Sequence, residues 1–320
     1  MNRVLITGAT GFIGNNLKTS LQQKNYPVVC TSRQQNRTGE ETFFCIDLNS
    51  QQADWTPCLE GIDTVVHLAA RVHILNDTCA DPLAEFRRVN RDGTLNLAQQ
   101  CLRAGVKRFV FLSSIGVTGE ETHTVPFNEN DPINPVSDYA ISKAEAEKGL
   151  FELVRGTHME LVIIRPPLVY GPGAPGNFSR LLKLVYNNVP LPFSAVRNRR
   201  SLLSVENLVD FIETCIEHPG AANQLFLLAD NESVSTADII RQLSAGMGTR
   251  AGLFPLPAVV LKFGFKLIGR PRLYQQLCCS LEVDNSKAKT LLDWTPVSTT
   301  KASLLNVGRD FADDLATKSS

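Results

Sequence analysis

A tyrosine and a lysine, Tyr139 and Lys143, stand four residues apart in the sequence YAISK. On a helix this spacing puts both side chains on one face, where they can act on one ligand. A carbonyl carbon that accepts a hydride needs a proton at its oxygen, and the reverse reaction needs a base there. A free phenol, with a pKa of about 10, is a weak base at neutral pH, but a neighbouring ammonium or another nearby positive charge favours its ionised form. The pair therefore predicts proton transfer coupled to hydride transfer.

Ser114 is expected at the same site. It follows the fifth of six short runs that are apolar at nearly every position and alternate with amphipathic segments. This alternation predicts parallel strands, buried on both faces and joined by crossover helices. The predicted strands are Val4–Thr7, Val28–Thr31, Thr42–Cys45, Thr64–Leu68, Phe109–Ser113 and Leu161–Arg165, and the helices include Asn15–Lys24, Arg91–Arg103 and Ser137–Val154. Because parallel sheets bind ligands at the carboxyl ends of their strands, Ser114 is placed to orient a substrate oxygen by a hydrogen bond.

A glycine-rich turn, GATGFIG, follows the first predicted strand directly and opens the first helix. In that context the first glycine permits the sharp turn, the second lets backbone N–H groups approach a diphosphate, and the third lets helix and strand pack closely. The helix N-terminus adds partial positive charge. We therefore predict a dinucleotide whose diphosphate is held by Gly8, Thr10, Gly11, Phe12, Ile13 and Gly14.

The end of the second strand distinguishes NADP from NAD. An NAD site needs a carboxylate there for the ribose 2′-hydroxyl, whereas a 2′-phosphate needs a cation. The strand ends in Arg33, with Arg37 near it and no carboxylate before Glu40. This favours NADP; the alternative is that Arg33 is a solvated loop residue and the cofactor is NAD. Asp47, after the third strand, is placed to bind the adenine amino group or to cap a turn.

The strict alternation ends after Arg165, where Pro and Gly become frequent and a smaller domain is expected to begin. The fold class predicted is α/β, a Rossmann-type doubly wound parallel sheet with a mixed α/β C-terminal substrate domain. Residues 1–168 are assigned to the NAD(P)-binding domain, with 205–230 returning to it as the helix Val205–Glu217 and the strand Gln224–Ala229. Residues 169–204 and 231–320 are assigned to substrate binding.

Composition limits the partners. The 320 residues carry 32 Lys plus Arg against 32 Asp plus Glu, and this balance argues against nucleic-acid binding and favours a small-molecule partner. No apolar run approaches the roughly 20 residues of a membrane span, and the N-terminus is typical of a strand, not of a signal peptide. The eight cysteines lack CxxC spacing and there is no HExxH motif, which favours reduced cysteines, no metal and a cytoplasmic location.

An acid-free stretch from residue 239 to residue 281 holds six basic residues around the apolar segment Leu253–Ile268. It is open to two interpretations, a membrane-surface helix or a domain helix with a solvated basic face near an anionic ligand. The length of the apolar segment favours the second.

The motifs together resemble the extended short-chain dehydrogenase/reductase family of NAD(P)-dependent nucleotide-sugar epimerases, dehydratases and reductases. The matching stretches are TGATGFIG at Thr7–Gly14, the pair Asp47-Leu48, VVHLAA at Val65–Ala70, Val89-Asn90, FLSS at Phe111–Ser114, YAISK, RPPLVYGPG at Arg165–Gly173 and VDNSKAKTLLDW at Val283–Trp294. The pattern is most similar to UDP-glucose 4-epimerase-like 4-keto reductases of O-antigen sugar (UDP-N-acetylquinovosamine) synthesis.

The resemblance implies roles for individual residues. It makes Ser114, Tyr139 and Lys143 the catalytic triad, and it implies a homodimer formed through two helices of each subunit. It places Asn90 in support of Lys143 through water. The other implied cofactor contacts are Leu48, Leu68, Ala69, Ala70, Pro166 and Pro167. The implied substrate contacts are Ser114, Asn177, Phe178, Arg200 and, less securely aligned, Arg272; the alternative for Arg200 and its neighbour Arg199 is a solvated pair before a strand.

Two reactions fit this resemblance. A reductase would pass hydride from NADPH to the 4-keto carbon of a UDP-linked 6-deoxy sugar while Tyr139 donates the proton. A UDP-hexose or UDP-N-acetylhexosamine 4-epimerase would instead keep a tightly bound NAD, for which Arg33 is less suitable. The dehydratases of the family have an acidic pair beside the serine, which is absent here, and a non-catalytic dinucleotide sensor is disfavoured by the intact triad. Two departures, Leu168 for a sugar-binding asparagine and Thr118 for an aromatic residue, leave the sugar open.

Overall fold

The computed structural model describes residues 2–33, 43–50, 53–72, 79 and 81–319. Seven of its strands form one sheet in which every neighbouring pair is parallel, in the order β3-β2-β1-β4-β5-β6-β9. These strands are β1 (Val4–Thr7), β2 (Val28–Ser32), β3 (Phe43–Cys45), β4 (Thr64–His67), β5 (Arg108–Leu112), β6 (Glu160–Arg165) and β9 (Gln224–Leu227). The strand order changes direction between β1 and β4. In a doubly wound fold the ligand crevice forms at this point, outside the carboxyl ends of the strands.

Helices cover both faces of the sheet. Those of the first half are α1 (Phe12–Gln23), α2 (Thr56–Leu59), α3 (Pro82–Phe86), α4 (Thr94–Ala104) and α5 (Asp138–Val154), and α7 (Val205–Glu217) follows later. One apolar core lies beneath α1 and α7, and the other lies beneath α4 and α5. The central strands β1, β4 and β5 are buried along their whole length, as expected for strands covered on both faces.

Most of the remaining elements form a smaller unit with its own apolar core. The strands β7 (Leu168–Tyr170) and β8 (Leu202–Ser204) form a separate two-stranded parallel sheet, whose side chains pack against both this core and the core beneath α1 and α7. The helices of the smaller unit are α6 (Asn177–Tyr186), α8 (Thr236–Gly246), α9 (Ala258–Leu267), α10 (Pro271–Cys278) and α12 (Thr300–Ser319). Helix α11 (Ser286–Leu292) instead packs into the core beneath α1 and α7. This unit is more helical than the mixed composition that the sequence suggested.

The Rossmann-type α/β fold predicted from the sequence is confirmed, with small shifts at element ends. The first helix begins at Phe12, three residues before the predicted start, because the glycine turn leads directly into it. The segment before α4 is π-helical from Arg87 to Gly93. The predicted residue Thr42 lies outside the described residues. Within the part of the chain that the structure describes, no helix is long and apolar enough to cross a membrane.

Candidate active site

The glycine turn between β1 and α1 is packed so closely that a Cβ atom does not fit at its first and last glycines. Gly8 has a φ of +69°, and a Cβ on it would lie 2.9 Å from the backbone of Ala69. A Cβ on Gly14 would lie 2.2 Å from the carbonyl oxygen of Gly8. The turn therefore brings β1, α1 and the loop after β4 together, and it leaves the backbone of the turn exposed at Thr10 and Gly11.

The N-terminus of α1 has the properties of an anion site. Its N-cap residue, Gly11, provides no side-chain hydrogen bond, and the first turn of the helix has no acidic residue. The first backbone N–H groups of a helix lack intrahelical partners, so they suit a diphosphate. The side chains of Phe12 and Ile13 pack into the core, which means that these two residues reach such a ligand through their backbone. The turn fits the dinucleotide predicted from the sequence.

Arg33 lies exposed directly after β2, at the carboxyl end of the strand. Arg37 and Glu40 lie outside the described residues. The Oδ1 atom of Asp47 accepts a hydrogen bond from the Asn49 backbone N–H at 3.0 Å, so Asp47 caps a turn. Leu48 is buried.

A buried histidine that sequence reasoning missed supports the loop after β4. His67 Nδ1 lies 2.7 Å from Thr7 Oγ1, and its Nε2 lies 2.9 Å from Thr94 Oγ1. Burial, together with the charge of Lys143, lowers the pKa of His67 to about 3, so the ring is neutral. Thr94 donates its own proton to the Asn90 carbonyl, which assigns the ring proton to Nε2 and leaves Nδ1 to accept from Thr7.

The Thr7 hydroxyl oxygen in turn accepts hydrogen bonds from the backbone N–H groups of Leu68 and Ala69, both at 3.2 Å. The end of β4 is therefore held to the end of β1 just where the glycine turn begins. His67 is part of the matching VVHLAA stretch, but only the contacts show its role, because a lone histidine in a strand carries no spacing signal.

Asn90, within the π-helical segment, links the loop after β4 to helix α5. Its amide accepts from the Arg71 N–H at 2.8 Å and donates to the Arg71 carbonyl and the Ser142 hydroxyl, each at 3.0 Å. The side chain is 1% exposed. Asn90 thus bonds directly to Ser142, the residue before Lys143, whereas the resemblance implied a contact with Lys143 through water.

Ser114 comes two residues after the end of β5 and caps a short 3₁₀ turn, Ile115–Val117. Its Oγ atom accepts from the Gly116 N–H at 3.1 Å. The turn is fixed to the next strand, because the Ile115 N–H donates to the Pro166 carbonyl at 2.9 Å. Since Pro166 follows β6, the carboxyl ends of β5 and β6 meet at the candidate serine.

Lys143 is buried beneath Tyr139 on helix α5 and is 2% exposed. Its Nζ atom donates to the Leu112 carbonyl at 2.8 Å and lies 4.4 Å from the centroid of the Phe111 ring. Burial lowers the pKa of Lys143 to about 7, against an opposing effect of Glu147. A neutral or weakly charged amine at this position is a consequence of desolvation.

Tyr139 is partly buried, with its ring edge-on to Phe86 at 6.2 Å. Burial raises its pKa to about 12. This direction is opposite to the one expected beside a lysine and an oxidised nicotinamide. That expectation includes the charge of the bound cofactor and stays a prediction.

A buried ion pair beside the candidate catalytic residue Lys143 on helix α5 was also missed from the sequence. Glu147 and Arg165 are 3% and 4% exposed and form two hydrogen bonds, at 2.5 and 3.0 Å. Glu147 also accepts from the Ser113 hydroxyl, and Arg165 donates to the Thr118 hydroxyl at 3.1 Å. Thr118, at the position where the resemblance led us to expect an aromatic residue, is thus buried and directed at this pair.

The candidate substrate residues lie in the smaller unit around helix α10. Arg200 Nη1 donates to the Cys279 carbonyl at 3.0 Å, and Asn177 donates to the Gln276 side chain at 3.1 Å. Burial lowers the pKa of Arg200. Arg272 is exposed on the same helix. Arg200 and Asn177 therefore bond to α10 or to its C-terminal cap, and Arg272 belongs to that helix.

Two further residues named beside these candidates have structural contacts. Phe178 is 4% exposed and packs against Tyr170 in the core of the smaller unit, so its ring contributes to that core. Arg199 is paired with Glu282 at 2.7 Å. Asn198, which sequence reasoning missed, binds the carbonyls of Leu277 and Cys279 and fixes the end of α10.

The fold and site define a class. A parallel doubly wound sheet carries a glycine turn at its switch point and a Ser–Tyr–Lys set at its carboxyl edge, the arrangement of a short-chain dehydrogenase/reductase. The sequence profile of the NAD dependent epimerase/dehydratase family matches residues 4–229. The chain belongs to this family of enzymes.

Individual proteins extend the comparison. A UDP-glucose 4-epimerase of Vibrio cholerae is 44% identical over 300 residues, covering 92% of this chain and 91% of that protein. An N-acetyl-alpha-D-glucosaminyl-diphospho-ditrans,octacis-undecaprenol 4-epimerase of Escherichia coli O157:H7 is 28% identical over 302 residues, covering 92% and 88%. The structure of MoeE5 in complex with UDP-glucose and NAD has a TM-score of 0.79 at 25% identity, covering 98% of this chain and 100% of that chain.

Proposed function

We propose that this chain reduces the 4-keto group of a UDP-linked 2-acetamido-2,6-dideoxy sugar, with NADPH as the reductant and Tyr139 as the proton donor. The observation that carries the proposal is Arg33, which lies exposed at the carboxyl end of β2, where a cation suits the 2′-phosphate of NADPH. A reductase binds NADPH, oxidises it and releases the oxidised form. An epimerase instead keeps its dinucleotide bound through the whole cycle, for which a tightly held NAD is suited.

The bound dinucleotide would supply the hydride, held through its diphosphate by the turn from Gly8 to Gly14. The chain's own residues would do the rest. Ser114 would donate a hydrogen bond to the keto oxygen, and Tyr139 would transfer its proton to that oxygen. Lys143, charged in part at neutral pH, would stabilise the phenolate that remains. Arg200 would bind the substrate diphosphate, since a guanidinium matches that anion.

Arg33 supports NADP over NAD as the cofactor of this proposal. The residue is exposed at the carboxyl end of β2, where a cation suits a ribose 2′-phosphate. We expect Arg33→Ala to raise the KM for NADPH by about tenfold or more, the loss of one charged hydrogen bond, and to leave that for NADH unchanged. The exposed Arg103 supplies a matched control. An equal response of both cofactors would contradict the assignment.

A second candidate, a UDP-sugar 4-epimerase, is favoured by the 44% identity to a Vibrio cholerae protein of that name. In an epimerase, the hydride taken from C4 returns to the other face of the same sugar, so the cofactor stays bound and is not consumed. The two candidates therefore share Ser114, Tyr139 and Lys143 and differ in whether reduced cofactor is used up.

The decisive experiment measures net cofactor use. The purified chain is incubated with the UDP-linked 4-keto-6-deoxy sugar and either NADPH or NADH, and separately with UDP-N-acetylglucosamine and no added cofactor. Consumption of NADPH with the keto sugar supports the reductase. Formation of the C4 epimer without added cofactor supports the second candidate and refutes the first.

A phenol variant tests the proton donor. Tyr139→Phe keeps the ring and its contact with Phe86 but removes the hydroxyl, so turnover should be lost while cofactor binding remains. Tyr26→Phe, which removes a hydroxyl bonded to Glu217 on the other face of the fold, is the matched control and should keep its activity. Retained turnover in Tyr139→Phe would show that the proton comes from another group.

A further inference from the structure

Helix α9 is attached to the smaller unit by a narrow face. Leu261 is 4% exposed and, with Phe265 one turn later, packs into the core of that unit. The Phe265 ring lies 6.5 Å from Tyr274 on α10. Leu261 is the only residue of α9 that is fully buried among the described side chains, so most of the helix surface faces away from the protein.

The face of α9 opposite Leu261 is apolar. Val259, Phe263 and Leu267 follow each other at four-residue spacing and are 79%, 69% and 77% exposed. Helical geometry puts Phe263 about 200° around the axis from Leu261, so these three side chains point directly outward. Val260 borders these three residues and is 50% exposed. We call these four residues the α9 patch.

Basic residues flank the α9 patch. Lys262 and Lys266 lie side by side along one edge of the helix, and Arg270 and Arg272 follow its C-terminus, all of them exposed. The segment from residue 239 to residue 281 contains no Asp or Glu. An exposed apolar face edged by lysines is the arrangement of a helix that lies in the interface of an anionic bilayer, with its apolar residues among the acyl chains.

A second copy of the chain fits this surface poorly. A helix of ten residues is about 15 Å long and about 10 Å wide, so its outer face projects over roughly 150 Å², far below the roughly 800 Å² per partner of a stable interface.

We propose that the α9 patch docks the protein on the surface of an anionic membrane. Val259, Phe263 and Leu267 enter the headgroup boundary, and Lys262 and Lys266 contact acidic headgroups. This mode of attachment needs no spanning helix. It also leaves α10, the neighbour of Asn177 and Arg200, beside the membrane surface. The docking is independent of the reaction proposed above.

Vesicle sedimentation tests the proposal. The full chain is mixed with vesicles of phosphatidylglycerol and phosphatidylcholine, and with vesicles of phosphatidylcholine alone. We expect binding to the anionic vesicles that weakens as salt is added. The triple change Val259→Ser, Phe263→Ser and Leu267→Ser should weaken it at least a hundredfold, from about tenfold for each large side chain. Lys262→Gln with Lys266→Gln should weaken it about thirtyfold.

Matched controls use exposed residues elsewhere. The control for the apolar residues is Val125→Ser with Val297→Ser, at valines that are 68% and 58% exposed. The control for the charges is Lys148→Gln with Lys301→Gln, at two exposed lysines. Both double variants should bind the vesicles like the wild type. The altered side chains face solvent, so thermal unfolding should match in every variant. Failure of the wild type to bind anionic vesicles, or equal loss in patch and control variants, overturns the proposal. So does a concentration-dependent dimer, seen by sedimentation velocity, that the triple change abolishes.

Discussion

Burial in the fold disfavours the charged form of Lys143. Replacing this lysine with an uncharged residue should therefore stabilise the folded protein. Burial lowers its pKa from 10.5 to about 7, so charging this amine costs about 5 kcal/mol more in the folded chain than in the unfolded one. Lys143→Met keeps the apolar stem and removes the charge. It also leaves the Leu112 carbonyl without its partner, at about 1–3 kcal/mol. The net expectation is a gain of about 2–4 kcal/mol at pH 6.

The gain should depend on pH with a definite sign. Between pH 7 and 10.5 the unfolded chain binds a proton that folded Lys143 has released, so wild-type stability rises with pH over that window. From pH 6 to pH 9 the wild type recovers about 3 kcal/mol of the charging cost. The advantage of Lys143→Met should therefore be largest at pH 6 and close to zero at pH 9.

Urea unfolding at pH 6 and pH 9 measures both effects. Lys148→Met, an exposed lysine on the same helix, is the matched control and should change stability little at either pH. Turnover should be lost in Lys143→Met but not in the control, the expected trade between stability and activity at a site. A Lys143→Met variant that is destabilised at pH 6, or whose advantage is the same at both pH values, would refute the reasoning.

Two other substitutions test the parts of the site that hold the cofactor and the strands. Gly14→Ala puts a Cβ 2.2 Å from the Gly8 carbonyl oxygen, so the turn must open. We expect weaker cofactor binding in a fluorescence titration and a free energy of unfolding in urea that is lower by about 1–3 kcal/mol. Unchanged cofactor binding would contradict the tight turn. Glu147→Gln leaves the Arg165 charge buried without its partner, which should lower the free energy of unfolding by about 3–5 kcal/mol. The control Glu145→Gln, at a more exposed ion pair on the same helix, should lower it by less than about 1 kcal/mol. Equal losses of stability would contradict a special role for the buried pair.

The sheet and the glycine turn could be predicted because their signals are local. A strand buried on both faces must be apolar throughout, and a turn pressed against a helix must lack side chains, so both leave a mark in consecutive residues. The structure confirms the order of these elements and differs mainly at their ends, as at Phe12.

The supporting contacts could not be predicted because they join distant residues. Thr7, His67 and Thr94 contact each other across 60 and 27 positions of sequence, and no spacing rule links them. The pKa of Tyr139 depends on packing in the same way. The sequence shows that a lysine is near the phenol, but only the structure shows that Lys143 is buried and Tyr139 partly buried. Desolvation raises the pKa of the phenol and lowers the pKa of the amine.

Helix α5 combines the chemistry and its support on one face. Tyr139, Lys143 and Glu147 follow each other at four-residue spacing, so they form a single stripe. The first is the candidate proton donor, the second holds the last carbonyl of β5, and the third holds the Ser113 hydroxyl and the last side chain of β6, Arg165. Because one rigid helix sets the positions of both strand ends, Ser114 and the groups that act with it are fixed relative to each other before any ligand arrives. A substitution of Lys143 or Glu147 should therefore alter the geometry at Ser114, even where the changed residue touches no substrate.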